Sequence, residues 1–312
     1  MNSKQQLEQR IGAPVEEHKD LSPFTTLHIA SVAEYFVEPA TKEQLIASVR
    51  AARELDIPYL FMGGGSNMAL GRNPLPGLTI RNLYSKKEIV SQSELYTDLF
   101  VSSGYPMGRL VKETVELGLS GFEYHLGLPG TLGGAMYMNS KWMHPETYAG
   151  DTLIRAWVLD SSSTIKEVDR SYFRFAYDYS ILQDTHELFI EGIFRLAKIE
   201  VEELRKRSKA ALAYRKQTQP FGVSTGGCFF RNISDEEQQN HDLPTKSAGY
   251  LIDQSGLKGK QFGHFKISDK HANFVINQGG GTASELTELL SMIKSKVKER
   301  FGIDLHEEVV VV

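Results

Sequence analysis

Cysteine is almost missing from this chain: Cys228 is the only one in 312 residues. One thiol cannot close an intrachain disulfide, build a zinc knuckle or ligate an iron–sulfur cluster, so the chain fits a reducing compartment. Long apolar runs are missing too. No uncharged stretch approaches the roughly 18 to 20 residues that span a bilayer. The polar start, MNSKQQLEQRIGAPVEEHKD, lacks the apolar core of a secretory signal. The expectation is a soluble, cytoplasmic protein without a membrane partner. Nor is there an excess of basic residues. The 35 Lys and Arg against 39 Asp and Glu leave a formal net charge of −4, which argues against nucleic acid as the main partner. The nine histidines include no His-Glu-x-x-His and no cysteine partner at ligand spacing, so no metal is expected.

What is present reads as an α+β chain long enough for two or three domains. Thr41 to Gln44 has the form of a capping box, ahead of Leu45, Ile46, Val49, Ala52 and Leu55 at helical spacing. Pro58 is expected to end that helix. A strand over Tyr59–Met62 then delivers the backbone into Gly63-Gly64-Gly65. Further strands are expected at 78–83, 99–103, 153–160 and 188–197, with a helix near 108–117. The charged stretch VEELRKRSKAALAYRK reads as a connecting helix, with a domain boundary near residue 200. Thr282 to Glu285 forms a second capping box before Leu286, Leu289, Leu290, Ile293 and Val297, with Gly302 just beyond the helix. The tail EEVVVV reads as a closing strand.

Two glycine clusters, GGGSNM at 63–68 and GLPGTLGGA at 127–135, concentrate the functional signal. Glycine permits positive φ and removes the Cβ, so successive N–H groups can converge on phosphate oxygens. Neither cluster matches a standard nucleotide motif. Met68 stands where a dinucleotide fingerprint or a nucleophile elbow needs glycine, and no Lys-Ser or Lys-Thr follows to make a Walker A loop. Each cluster taken alone is equally readable as a structural turn; two in one chain favour a bound nucleotide. A third cluster, TGGCFFRN at 225–232, contains the single cysteine. A lone cysteine is most simply a small buried hydrophobe. Between two glycines and two aromatics it is also a candidate proton donor, since a thiol with a reference pKa of ~8.5 is a far better acid than a hydroxyl. His271 reads better as a packed turn histidine than as a site residue.

GGGSN at 63–67, GLSGFEYHLGLPGTLGGAMYMN at 118–139 and AGYLIDQSGLKGKQFGHFKISDKHANFVIN at 248–277 resemble the UDP-N-acetylenolpyruvoylglucosamine reductase family, in its shorter type, over about Thr25 to Val309. The resemblance implies a two-lobed FAD-binding domain of the PCMH, or vanillyl-alcohol-oxidase, type with lobes at 1–84 and 85–200. A C-terminal α+β substrate-binding domain at 201–312 completes the implied chain. Gly63, Gly64, Gly65, Ser66, Asn67, Pro129, Gly130, Thr131, Gly133 and Gly134 would hold the flavin. The implied reaction uses NADPH to reduce FAD, which passes hydride to C3 of an enolpyruvyl UDP-sugar in peptidoglycan precursor synthesis. Cys228 occupies the position of the family's proton-donating serine and Glu308 that of its C-terminal glutamate. Lys216 and Asn232 match positions that contact the UDP part.

One departure stands out. The family's Tyr-Arg-x-Ser reads Tyr177-Asp178-Tyr179-Ser180 here, so an acid replaces the arginine expected to help Glu308 stabilise the intermediate. At an effective dielectric near 20, two like charges ~4 Å apart repel by about 4 kcal/mol. Either Asp178 points away and another cation, such as Arg174 or Arg215, substitutes, or the chain is a flavin-binding homologue with lost or altered activity. Thr25-Thr26-Leu27-His28-Ile29-Ala30-Ser31 is a milder departure from the family's Asn-Thr-Phe and Gly-Gly.

Overall fold

A computed structural model describes residues 2–312. Contacts divide the chain into two compact units. The first takes in the chain up to Lys19, Glu34–Gly64 and Pro76–Arg215; the second takes in Asp20–Ala33, Gly65–Leu75 and Lys216–Val312. The division after Arg215 falls inside one helix, Val201–Thr218.

The first unit has two cores. In one, the helices Ser3–Ile11 and Lys42–Glu54 bury Leu7, Ile11, Leu45, Val49 and Ala52 with Leu78 and Ile80. The latter two belong to a four-stranded sheet ordered Glu16–Asp20, Val32–Val37, Leu75–Arg81, Tyr59–Met62. Thr41 caps its helix by accepting from the Gln44 amide at 3.2 Å. The expected reciprocal bond is displaced by one residue, because the Gln44 side chain accepts from the Ala40 amide instead. That helix stops at Glu54, and Asp56 takes the left-handed conformation (φ 52°), so the chain has turned before Pro58.

The second core lies on a sheet ordered Ile165–Val168, Leu153–Leu159, Leu188–Lys198, Tyr96–Ser102, Lys87–Gln92, with Leu119–Ser120 also paired to Leu188–Lys198. All of these pairings are antiparallel. The helices Met107–Glu116 and Leu132–Met138 contribute Met107, Leu110, Val111, Leu132 and Met136 to this core. The four strands anticipated from apolar runs are present within three residues at each end. Lys87–Gln92 was not anticipated: five of its six residues are exposed, so no apolar alternation announces it.

In the second unit, an antiparallel sheet ordered Thr225–Cys228, Phe274–Asn277, Phe265–Ile267, Gln261–Phe262 shares a core with Ala248–Gln254 and Ala283–Phe301. Thr282 and Glu285 form the complete reciprocal cap, and Gly302 closes that last helix with φ 73°. The tail pairs Val310–Val311 in parallel with Met68–Ala69, at the end of the first glycine cluster. No helix of the described residues is long and apolar enough to cross a membrane, and none of their His, Cys, Asp and Glu side chains form a group able to hold a metal ion.

Candidate active site

Within the first unit the two glycine clusters meet. A Cβ on Gly64 would lie 2.6 Å from Gly130 Cα, and one on Gly63 would lie 2.3 Å from Thr131 Oγ1. The loops are therefore packed backbone to backbone, which only glycine permits. Gly130 has φ 98° and accepts from the Met107 amide at 3.1 Å. Leu132 and Gly133 donate to Tyr105 and Ser103 carbonyls at 2.9 and 2.7 Å, fixing the start of Leu132–Met138 on the sheet. Among the described residues the amides of Gly63, Gly64 and Gly130 donate no hydrogen bond. Gly134 has nothing nearer to its missing Cβ than Thr131 Oγ1 at 3.9 Å. Amides without internal acceptors, unshielded by side chains, fit the phosphates of a dinucleotide cofactor.

Gly65, Ser66 and Asn67 belong to the second unit. Gly65 is left-handed (φ 59°), and a Cβ there would fall 2.1 Å from the Phe24 carbonyl oxygen. Thr26 ties this loop inward: its amide donates to Gly65 O at 3.1 Å and its hydroxyl to Thr225 O at 2.7 Å. Asn67 Nδ2 donates to Glu308 O at 3.1 Å, and the Val310 amide donates to Asn67 O at 3.0 Å.

The same unit brings Cys228 and Glu308 onto neighbouring segments. The Glu308 amide donates to Phe229 O at 2.8 Å, and Arg231 donates to His306 O at 2.8 Å. Cys228 is not in the core, although Phe229 and Phe230 beside it are. The reason is a break in register: Thr225 pairs with Ile276 but Cys228 with Phe274, so three steps on one strand face two on the other. Gly227 absorbs the irregularity with φ 87°. Cys228 is half-buried.

Asn232 Oδ1 accepts from the Ala248 amide at 3.1 Å, at the start of Ala248–Gln254. Lys216 is exposed; its carbonyl accepts from Lys270 Nζ at 2.6 Å, and its own Nζ lies 5.5 Å from the Phe221 ring centre. His271 packs edge-on to Phe274, accepts from the Asn273 amide, and has its pKa lowered by burial, as suits a turn residue.

Asp178 is 3% exposed and ion-paired with Lys141. Arg174 is exposed, and Arg215 is buried with its guanidinium 4.6 Å from the Trp142 ring centre.

Comparison with known proteins accords with this arrangement. Residues 33–169 match the FAD binding domain family, and residues 219–312 match the family described as UDP-N-acetylenolpyruvoylglucosamine reductase, C-terminal domain. The chain is 32% identical to the UDP-N-acetylenolpyruvoylglucosamine reductase of Acaryochloris marina, covering 95% of this chain and 92% of that one. It is 30% identical to that of Bacillus subtilis, over 99% and 97%. The crystal structure of the Thermus caldophilus reductase superposes with a TM-score of 0.77 at 28% identity, covering 96% of this chain and 99% of that one. With matching family segments in both halves and this likeness along the whole chain, the protein belongs to the UDP-N-acetylenolpyruvoylglucosamine reductase family.

Proposed function

We propose that this chain catalyses the FAD-dependent, NADPH-driven reduction of UDP-N-acetyl-3-O-(1-carboxyvinyl)-glucosamine to UDP-N-acetylmuramate, in the cytoplasm, for peptidoglycan precursor synthesis. Residues 1–84 and 85–200 are read as the flavin-binding lobes and 201–312 as the substrate-binding part. When bound, FAD supplies the hydride that NADPH provides and C3 of the enolpyruvyl group receives. The chain's own task is to hold the sugar nucleotide, stabilise the charge that develops at C2 and the carboxylate, and deliver one proton to C2. Cys228 Sγ–H is the donor, and the half-buried, irregular strand end keeps it out of the core. Glu308 polarises the developing enolate through a hydrogen bond, the form of catalysis in which a preset group meets charge as it appears. Lys216 and Asn232 contact the UDP part. Gly63, Gly64, Gly65, Ser66, Asn67, Pro129, Gly130, Thr131, Gly133 and Gly134 are read as the residues that hold the cofactor.

The observation that supports this reading most is the backbone bond from Glu308 to Phe229, which seats the carboxyl residue beside the thiol residue. The test is anaerobic stopped flow. Protein reduced by NADPH is mixed with the enolpyruvyl sugar nucleotide, and the flavin should reoxidise with product formed in equal amount. A flavin that stays reduced although the nucleotide binds would exclude the reductase reading.

A further inference from the structure

Asn82 belongs to the first unit, is 2% exposed, and directly follows Leu75–Arg81, the strand that pairs in parallel with Tyr59–Met62. Its backbone amide donates to Met62 O at 2.8 Å, one residue before Gly63. Its side chain reaches the other sheet of the unit. Nδ2 donates to Ser103 Oγ at 2.7 Å, and Oδ1 accepts from the Tyr84 amide at 2.9 Å. A backbone amide only donates, so the carboxamide has one orientation, with its NH2 end on the serine. Ser103 is fully buried, and its own amide donates to Ile190 O at 2.9 Å, fixing it to Leu188–Lys198. Its carbonyl accepts from the Gly133 amide at 2.7 Å, and a Cβ on Gly133 would lie 2.9 Å from Ser103 Cβ.

These bonds make one path, Met62 to Asn82 to Ser103 to Gly133, from the residue before the first glycine cluster to a residue within the second. The contact of Gly64 with Gly130 limits how closely the two loops approach but carries no directional bond. A path of hydrogen bonds sets their register. A general clamp between the two sheets is the simpler alternative, yet Glu191 already supplies one. It is 5% exposed on Leu188–Lys198, accepts from Tyr84 Oη at 2.8 Å and is ion-paired with Lys42 of Lys42–Glu54. What Asn82 adds is a bonded route into both glycine loops. Resting on the reading that both clusters hold FAD, we propose that Asn82 is a positioning residue for the cofactor. Through Ser103 it keeps the amides of Gly63 and Gly64 in register with that of Gly130, so that all three meet one pyrophosphate. Donors set in place beforehand spare the ligand the cost of ordering the loops.

The test separates cofactor affinity from folding. Riboflavin shares the ring system and ribityl chain of FAD but lacks the phosphates and the adenosine. Equilibrium dialysis of the FAD-loaded full-length chain against mixtures of FAD and riboflavin gives both dissociation constants, and circular dichroism confirms that each variant is folded. The native protein should favour FAD by about 100-fold or more. Ser103→Ala and Asn82→Leu should each weaken FAD by about tenfold and leave riboflavin within about twofold. The double variant should be no more than about threefold worse than either single one, as expected of two residues acting through one bond. Asn82→Asp should hold FAD within about threefold of the native value, because a carboxylate accepts from the Tyr84 amide and from a turned Ser103 hydroxyl. FAD affinity unchanged in both single variants overturns the proposal. So does an equal loss of FAD and riboflavin, which marks a structural clamp, and so do single losses that multiply to about 100-fold in the double variant. A native protein that holds riboflavin as tightly as FAD overturns the reading of the glycine clusters themselves, and this proposal with it.

Discussion

The side-chain amide of Asn67 donates to the backbone carbonyl of Glu308 at 3.1 Å, joining the first glycine cluster to the C-terminal tail within one unit. A neutral hydrogen bond of this kind contributes about 1 kcal/mol net, and an orphaned partner costs more. With FAD saturating, to offset the cofactor contact proposed for Asn67, Asn67→Ala should therefore leave Glu308 less firmly placed and slow substrate reduction by about tenfold, with NADPH oxidation less affected. Steady-state assays of both half-reactions check this. Equal rates for variant and native protein would show that the pairing of Val310 with Met68 positions the tail unaided.

Cys228 permits a sharper exchange. Cys228→Ala should retain flavin reduction by NADPH but lose at least about 100-fold in product formation, the scale of a missing general acid. Cys228→Ser restores the family's hydroxyl and should regain most of that loss. Rapid-quench analysis of product in a single turnover distinguishes the steps. A Cys228→Ala protein that forms product at the native rate would transfer the proton-donor role to another group.

The glycines separate into two kinds, and substitution should tell them apart. A methyl group on Gly64 meets backbone, Gly130 Cα at 2.6 Å, and nothing flexible can give way. Gly64→Ala should cost about 1 to 3 kcal/mol by overpacking and release FAD. Gly134→Ala meets nothing within 3.9 Å and lies inside a helix, where alanine gains up to about 1 kcal/mol. Its melting temperature should hold or rise, so any loss of FAD affinity there reports contact with the cofactor. Thermal melts with and without added FAD supply both readings.

Local signals were the legible ones. The cap at Thr282 and Glu285, the stop at Gly302 and the glycine clusters are written in adjacent residues, and the structure realises them where expected. Long-range closure was not legible. That residues 20–33 and 65–75 belong with the C-terminal unit depends on contacts such as Thr26 with Thr225, 199 positions apart, for which no local periodicity exists. The same holds at the candidate site. Cys228, Glu308 and the glycines are nominated by motifs, whereas the partner of Asp178 lies 37 positions away on a strand of three residues. The sign reversal at Asp178 is plain in the sequence, but its ion-pair partner Lys141 is not.

His125 makes a prediction about acid. It is fully buried, neither ring nitrogen has a hydrogen-bond partner, and its pKa is pushed down to about 3, first by burial and then by the Arg215 charge. In the unfolded chain an imidazole titrates near 6.5. Above that value neither state holds the proton and His125 costs nothing. Between about 6.5 and 3 the unfolded chain is protonated while the folded one is not, so stability falls as pH drops, approaching ~1.4 kcal/mol per pH unit from this group. His125→Leu removes the titration and should flatten the loss between pH 6.5 and 4.5, while Arg215→Met should flatten it less, because burial is the larger cause. Urea unfolding of FAD-saturated protein at a series of pH values measures the slope. If His125→Leu and the native protein lose stability in parallel across that range, the acid sensitivity resides in the carboxylates and not in this histidine.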